Sequence, residues 1–213
     1  PSLAYHLALS YHRALRRQWE NSRMASLTVG IAAALEQFHP TEILEHAALA
    51  EKHGFSGQMA ADHVQPWVPA QGEAAFVWNV LSALGMNTTG DIGPGVTCPS
   101  MRWHPSMVAQ ASATLAAMFP GRHWLGLGSG EALNEHITGE YWPEAPERIN
   151  RMFEAIEIIQ KLFTGSLAGK DVKHSGQFFK MESMRLWTLP EVPPEILVAT
   201  AGPITAKRAG RTV

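Results

Sequence analysis

The chain has 213 residues, 46% of them apolar and 17% charged, a globular composition long enough to fill one good core. A formal net charge of −2 without any long basic or acidic run argues against a nucleic-acid partner, and no apolar run of about 18 residues is present to cross a membrane. The lone cysteine, Cys98, excludes an internal disulfide and a Cys-based zinc site, and it suits a reducing cytoplasm.

Residues 1–23, PSLAYHLALSYHRALRRQWENSR, place their arginines after the apolar part, the reverse of a secretory signal. They are expected to be an N-terminal extension of uncertain origin, with the domain proper spanning 24–213 from Met24 onward. LTVGIAAAL (27–35) reads as a buried strand. Pro40 opens a helix whose apolar face is Ile43, Leu44, Ala47, Ala48 and Ala50, and Gly54 closes it. GFSGQMA (54–60) is a short second strand, and AFVWNVLSALG (75–85) a helix expected to end at Gly85. IGPGVTCP (92–99) is a third strand, followed by a helix from Pro105 that stops before Pro120-Gly121, with His104 as its cap. HWLGLGSG (123–130) is a fourth strand. From Glu147 to Phe163, Ile149, Met152, Phe153, Ile156, Ile159 and Phe163 keep a helical period. Residues 165–194 break the alternation and read as an inserted hairpin or loop; EILVATAG (195–202) then forms a fifth strand, and PITAKRAGR begins a helix.

Strands alternating with helices imply parallel pairing through right-handed crossovers, which fits an open doubly wound sheet or a (β/α)8 barrel. Chemistry sits at the carboxyl ends of the strands in both. ADHVQPW (61–67) lies at such an end. His63 can act as a base near neutral pH, Asp62 can orient or tune a ring, and Trp67 is either a ligand-stacking indole or a loop anchor against Pro66 and Pro69. In GLGSGEALNE (126–135) the glycines let backbone approach a ligand, without Rossmann spacing, and Glu131 is placed to exchange a proton; a glycine turn with a helix-start glutamate is the plainer alternative. The turn Ala199-Thr200-Ala201-Gly202 before a helix offers backbone N–H groups to a phosphate, or is simply a tight loop before Pro203. His136 follows Glu131 closely, yet no metal-ligand spacing appears and no metal is expected.

AALEQFHPTE, ADHVQPW, GVTCPS with RWHP, FPGRHWLGLGSGEALNEHITGEYWPE and ATAGPITAKRAGR, in collinear order over about residues 27–211, resemble the F420-dependent glucose-6-phosphate dehydrogenase family of the luciferase-like superfamily. The resemblance implies a (β/α)8 TIM barrel, incomplete here with about five of eight strands, and the deazaflavin coenzyme F420 as hydride acceptor from an alcohol or sugar-phosphate carbon. It implies His63 as base, Trp67 as a stabilising indole donor and Glu131 as proton donor. Asp62 and Asn134 match cofactor-contacting positions, and Glu36 an active-site glutamate on the substrate side. Gly95-Val96 matches a bulge with a non-prolyl cis peptide behind the deazaflavin, and Ala199, Thr200, Ala201 and Gly202 match the loop holding the coenzyme's phosphate. The family's basic sugar-phosphate grip lies downstream of the fifth strand, beyond Val213, and a homodimer is expected of the full-length protein. An FMN-dependent monooxygenase of the same superfamily and a non-catalytic coenzyme-binding relative or inactive fragment are the alternatives.

Overall fold

A computed structural model describes residues 28–213. The expectations for residues 1–23 and for a start at Met24 lie outside the described residues. The first strand, β1, is Ile31–Ala33. Helix α1 (Pro40–Lys52) starts where His39 Nδ1 accepts from Thr41 N–H and Glu42 reaches back to His39 N–H at 3.0 Å. It ends before Gly54, whose φ of 91° turns the chain toward β2 (Gly57–Ala60). Helix α2 (Val77–Asn87) leads to β3 (Asp91–Pro94), and α3 (Pro105–Met118) to β4 (Trp124–Leu127). His104 caps α3 as expected, accepting from Ser106 N–H at 3.2 Å. A single turn, α4 (Ala132–Glu135), precedes the long α5 (Ala145–Leu167). An antiparallel pair follows, β5 (Val172–Ser175) with β6 (Lys180–Met184), then β7 (Glu195–Val198) and α6 (Pro203–Thr212).

The sheet order settles the architecture. β1 pairs β2, β2 pairs β3, and β4 pairs β7, all parallel. Parallel bridges Ile92–His123 and Thr97–Leu127 join β3 to β4. Successive parallel strands are therefore always added on the same side. A doubly wound sheet would reverse direction at its switch point; a barrel does not. This is the order of a (β/α)8 type of barrel with five parallel strands in place.

The convex face of the sheet carries the core. Leu35, Ile92, Leu125 and Leu127 meet Ile43, Leu81 and Leu84 from the first two helices and Met152, Ile156, Ile159 and Leu162 from α5, all at most 2% exposed. The apolar period expected for α5 is the buried face, and the helix runs further at both ends. Gly85 does not end α2. The helix continues to Asn87, and Gly85 makes room for the next helix's end, since a Cβ there would sit 2.4 Å from the Phe119 ring. The expected strand at 92–99 is shorter, Asp91–Pro94, and is followed by a cis Gly95–Val96 peptide bond. The β5–β6 hairpin is pinned to α5 by one carboxylate. Glu154 accepts from the N–H groups of Gln177, Phe178 and Phe179 and from His174 Nε2. Burial alone would raise this carboxyl, but the bonds from Phe179, His174 and Phe178 outweigh it and hold it below its ordinary value.

His123 is buried against α3, with Nε2 2.9 Å from Ser112 Oγ and Nδ1 3.3 Å from the Ile92 carbonyl. Burial pushes its pKa down to about 4, from 6.5 in the unfolded chain. As pH falls below 6.5 the unfolded state takes up the proton first, so stability present above pH 6.5 is lost toward pH 4. The loss from this group is expected to reach about 3 kcal/mol. Urea unfolding across that range should show the slope in the parent and a flatter one in His123→Gln; equal slopes would exclude His123 as the source.

Candidate active site

Every chemistry-bearing segment leaves the sheet at its carboxyl end. Glu36 follows β1, Asp62 to Trp67 follow β2, Gly95-Val96 follow β3, Glu131 follows β4 and Ala199–Gly202 follow β7. Parallel strands curved into a barrel bring these ends to one rim. There the His63 imidazole lies between two carboxylates. Glu36 Oε1 is 2.6 Å from Nδ1, and Glu131 Oε2 is 4.0 Å from Nε2. The Glu36 contact is close without hydrogen-bond alignment. The two carboxylates differ in surroundings: the Glu36 side chain is 9% exposed and the Glu131 side chain 50%. Nδ1 thus faces the buried carboxylate and Nε2 the exposed one. Trp67 meets His63 edge-on, ring centroids 5.0 Å apart at 83°. It is 54% exposed, so it is not a buried loop anchor.

Asp62 points the other way, as adjacent residues of an extended chain do. Its carboxylate accepts from Thr97 Oγ1 at 2.6 Å, Trp103 Nε1 at 2.9 Å and Arg102 Nη1 at 3.1 Å. Its backbone N–H donates to the Val96 carbonyl at 3.3 Å, beside the cis bond. Its side chain is 1% exposed and braces the segment after β3. Asn134 is also buried, and its Oδ1 accepts from Val64 N–H at 2.9 Å, tying α4 to the loop of His63. The glycines of GLGSG likewise serve the chain. A Cβ on Gly126 would fall 2.2 Å from the Pro94 carbonyl oxygen, so glycine lets β4 lie against the β3 bulge.

At the fifth strand, Ala199 N–H is taken by the Leu127 carbonyl at 2.9 Å, extending the β4–β7 ladder. Thr200 and Ala201 are exposed, and Gly202 stands as N-cap of α6 with Pro203 in its first turn. The turn thus presents Thr200, Ala201 and Gly202 at a helix N-terminus, with Ala199 in the ladder.

Three groups escaped the sequence reading: Glu135, which is buried, and Arg102 and Trp103, which are partly buried. Glu135 Oε2 accepts from Arg102 N–H at 2.8 Å, and burial pushes its carboxyl up against the opposing pull of Arg102. Cys98, below the same network, has its thiol pushed up to about 12 by burial and by the Glu135 and Asp62 charges, so it is no nucleophile. Among the described residues no three His, Cys, Asp or Glu gather as a metal site, and no helix is long and apolar enough to cross a membrane.

This arrangement has counterparts among known proteins. The chain is 41% identical over 188 residues to the F420-dependent hydroxymycolic acid dehydrogenase of Mycobacterium tuberculosis, covering 88% of this chain and 51% of that protein. It is 42% identical over 186 residues to the F420-dependent glucose-6-phosphate dehydrogenase of Microbacterium testaceum, covering 87% and 54%. The chain thus spans about half the length of these curated relatives. Among solved structures, an F420-dependent secondary alcohol dehydrogenase in complex with an F420-acetone adduct superposes with a TM-score of 0.82 at 36% identity, over 87% of this chain and 56% of that one. The family described as luciferase-like monooxygenase matches residues 19–213. With the sheet order and this match spanning nearly its whole length, the chain belongs to the luciferase-like monooxygenase family.

Proposed function

We propose that the chain carries the acid–base and coenzyme-facing part of an F420-dependent dehydrogenase that oxidises an alcohol. The observation that carries this reading is His63, held between a buried and an exposed carboxylate at the carboxyl rim. The donor set fits F420: an imidazole, an indole N–H and a half-exposed carboxylate converge there, the cis Gly95–Val96 bulge stands beside them, and the turn before α6 suits an anionic tail. F420, when bound, supplies a carbon that accepts the hydride. His63 Nε2 takes the substrate hydroxyl proton, and Glu36 orients the ring and balances its charge. Glu131 supplies a proton on the cofactor's side, and Trp67 donates its indole N–H there. Val96 and Gly95 would back the ring, and Thr200, Ala201 and Gly202 would hold the phosphate.

Sequence similarity does not choose the alcohol. Identities of 41% and 42% to dehydrogenases of hydroxymycolic acid and of glucose 6-phosphate leave this half of the fold neutral between them. A small-molecule alcohol, oxidised in the cytoplasm by a homodimer, completes the proposal. Titration with F420 is expected to quench the deazaflavin fluorescence and to saturate, whereas FMN should bind weakly. Tight FMN binding with no response to F420 would turn the reading toward a flavin monooxygenase.

A further inference from the structure

The residues RWHP follow the β3 bulge, and their arginine has no part in the acid–base scheme. Arg102 Nη1 donates to Asp62 Oδ1 at 3.1 Å, and Nη2 to the Asp62 carbonyl at 2.8 Å. That carbonyl is the peptide group joined to His63. On its other side Arg102 meets Glu135, through its backbone N–H at 2.8 Å and with Nε 3.6 Å from Oε1. Glu135 closes the turn that Glu131 opens, its N–H donating to the Glu131 carbonyl at 3.0 Å. One guanidinium, 9% exposed, thus joins two carboxylates that are each 1% exposed. One of these carboxylates belongs to the residue before His63, the other to the turn of Glu131.

We propose that Arg102 is a positioning residue that fixes the separation between His63 and Glu131. Val64 with Asn134, and Gln65 with Leu133, tether the same two segments at their outer side; Arg102 ties their buried side. A planar guanidinium suits this role because it directs separate N–H groups along fixed lines. Without the guanidinium the buried side keeps only the backbone N–H of residue 102 to Glu135 and Trp103 Nε1 to Asp62. The 4.0 Å spacing across which His63 and Glu131 act is then free to widen. The proposal rests on the acid–base reading of that pair.

The test reads the pair directly, in cofactor-free protein carrying labelled histidine nitrogens. Glu131→Gln is expected to shift the His63 imidazole signals in the parent. In an Arg102→Lys background the same substitution should shift them by less than about half as much, since the interaction weakens with distance. The other histidine signals and the unfolding midpoint should stay in place. Equal responses in both backgrounds overturn the proposal, and so does no response in the parent. If Arg102→Lys does not fold, Glu135→Gln cuts the second arm of the strut and is read in the same way. In a chain carrying the whole barrel, with F420 and either 2-propanol or glucose 6-phosphate, Arg102→Lys is expected to lower kcat about tenfold or more, with KM and F420 affinity changed less than about threefold. Loss of F420 affinity in proportion to kcat would make Arg102 a residue of the binding fold and overturn the positioning role. Intact turnover in His63→Ala would instead remove the acid–base reading, while the signal response still judges Arg102 by itself.

Discussion

His63→Ala, in a chain carrying the whole barrel, is expected to lower F420 reduction by about 10²–10⁴-fold, the usual contribution of a positioned acid–base group, with F420 affinity nearly unchanged. The imidazole lies at the rim with a carboxylate facing each nitrogen, at 2.6 and 4.0 Å. Removing it takes away the acceptor for the alcohol proton, and Glu36 lies behind it, 9% exposed, too enclosed to take over. Glu131→Gln should give a loss of similar kind through the opposite nitrogen's partner. It keeps the shape of the side chain and removes its proton exchange. Trp67→Phe separates the indole N–H from the ring, keeping the edge contact to His63 and losing only the donor. Steady-state turnover set beside fluorescence titration decides. If affinity and turnover fall together in His63→Ala, the residue shapes the cleft and does not transfer protons.

The sheet was legible because buried parallel strands leave short apolar runs between capped helices. Pro40 at α1, and His104 and Pro105 at α3, announced their helices by side-chain chemistry alone. The runs overestimated strand length: 27–35 shrinks to Ile31–Ala33, because apolar composition continues into the turn that buries Leu35. Gly85 misled because a packing glycine and a stop glycine look alike in sequence, and only Phe119, thirty-four positions away, tells them apart. The site divides in the same manner. His63 and Glu131 stood out as polar groups following small-residue strands. Their closeness, and the reach of Glu36 to His63, come from the barrel's curvature, which no local pattern encodes. Arg102 and Glu135 were invisible as a pair, since a buried charge reads as a surface charge until its partner is known. Glu154 hid in the same way, on the helix face that rises from the α5 core toward the hairpin.

The 213-residue chain, purified by itself, is expected to self-associate. Among the described residues β1 pairs only with β2, and β7 only with β4, so each end of the five-strand order presents a strand edge. Edge N–H and C=O groups are templates for another strand. The two faces of the sheet are also unequal. Its convex side buries Ile92, Leu125 and Leu127 completely, whereas Met59 and Leu197, on the alternate positions, remain 38% and 43% exposed. In a closed barrel such positions are packed in layers by side chains from opposite strands. Apolar side chains on an open concave face beside such strand edges favour association over a lone monomer. Light scattering should therefore report species well above 23.3 kDa. Leu197→Lys, which places a charge on the β7 edge and on the concave face together, should shift the distribution toward monomer without altering the buried convex core. The same preparation is expected to reduce F420 negligibly with glucose 6-phosphate, because among the described residues no second strand flanks β7 to help enclose the substrate. A monodisperse monomer with sharp, cooperative unfolding would mean that the two edges are satisfied within the chain, and measurable turnover would mean that these five strands enclose the substrate unaided.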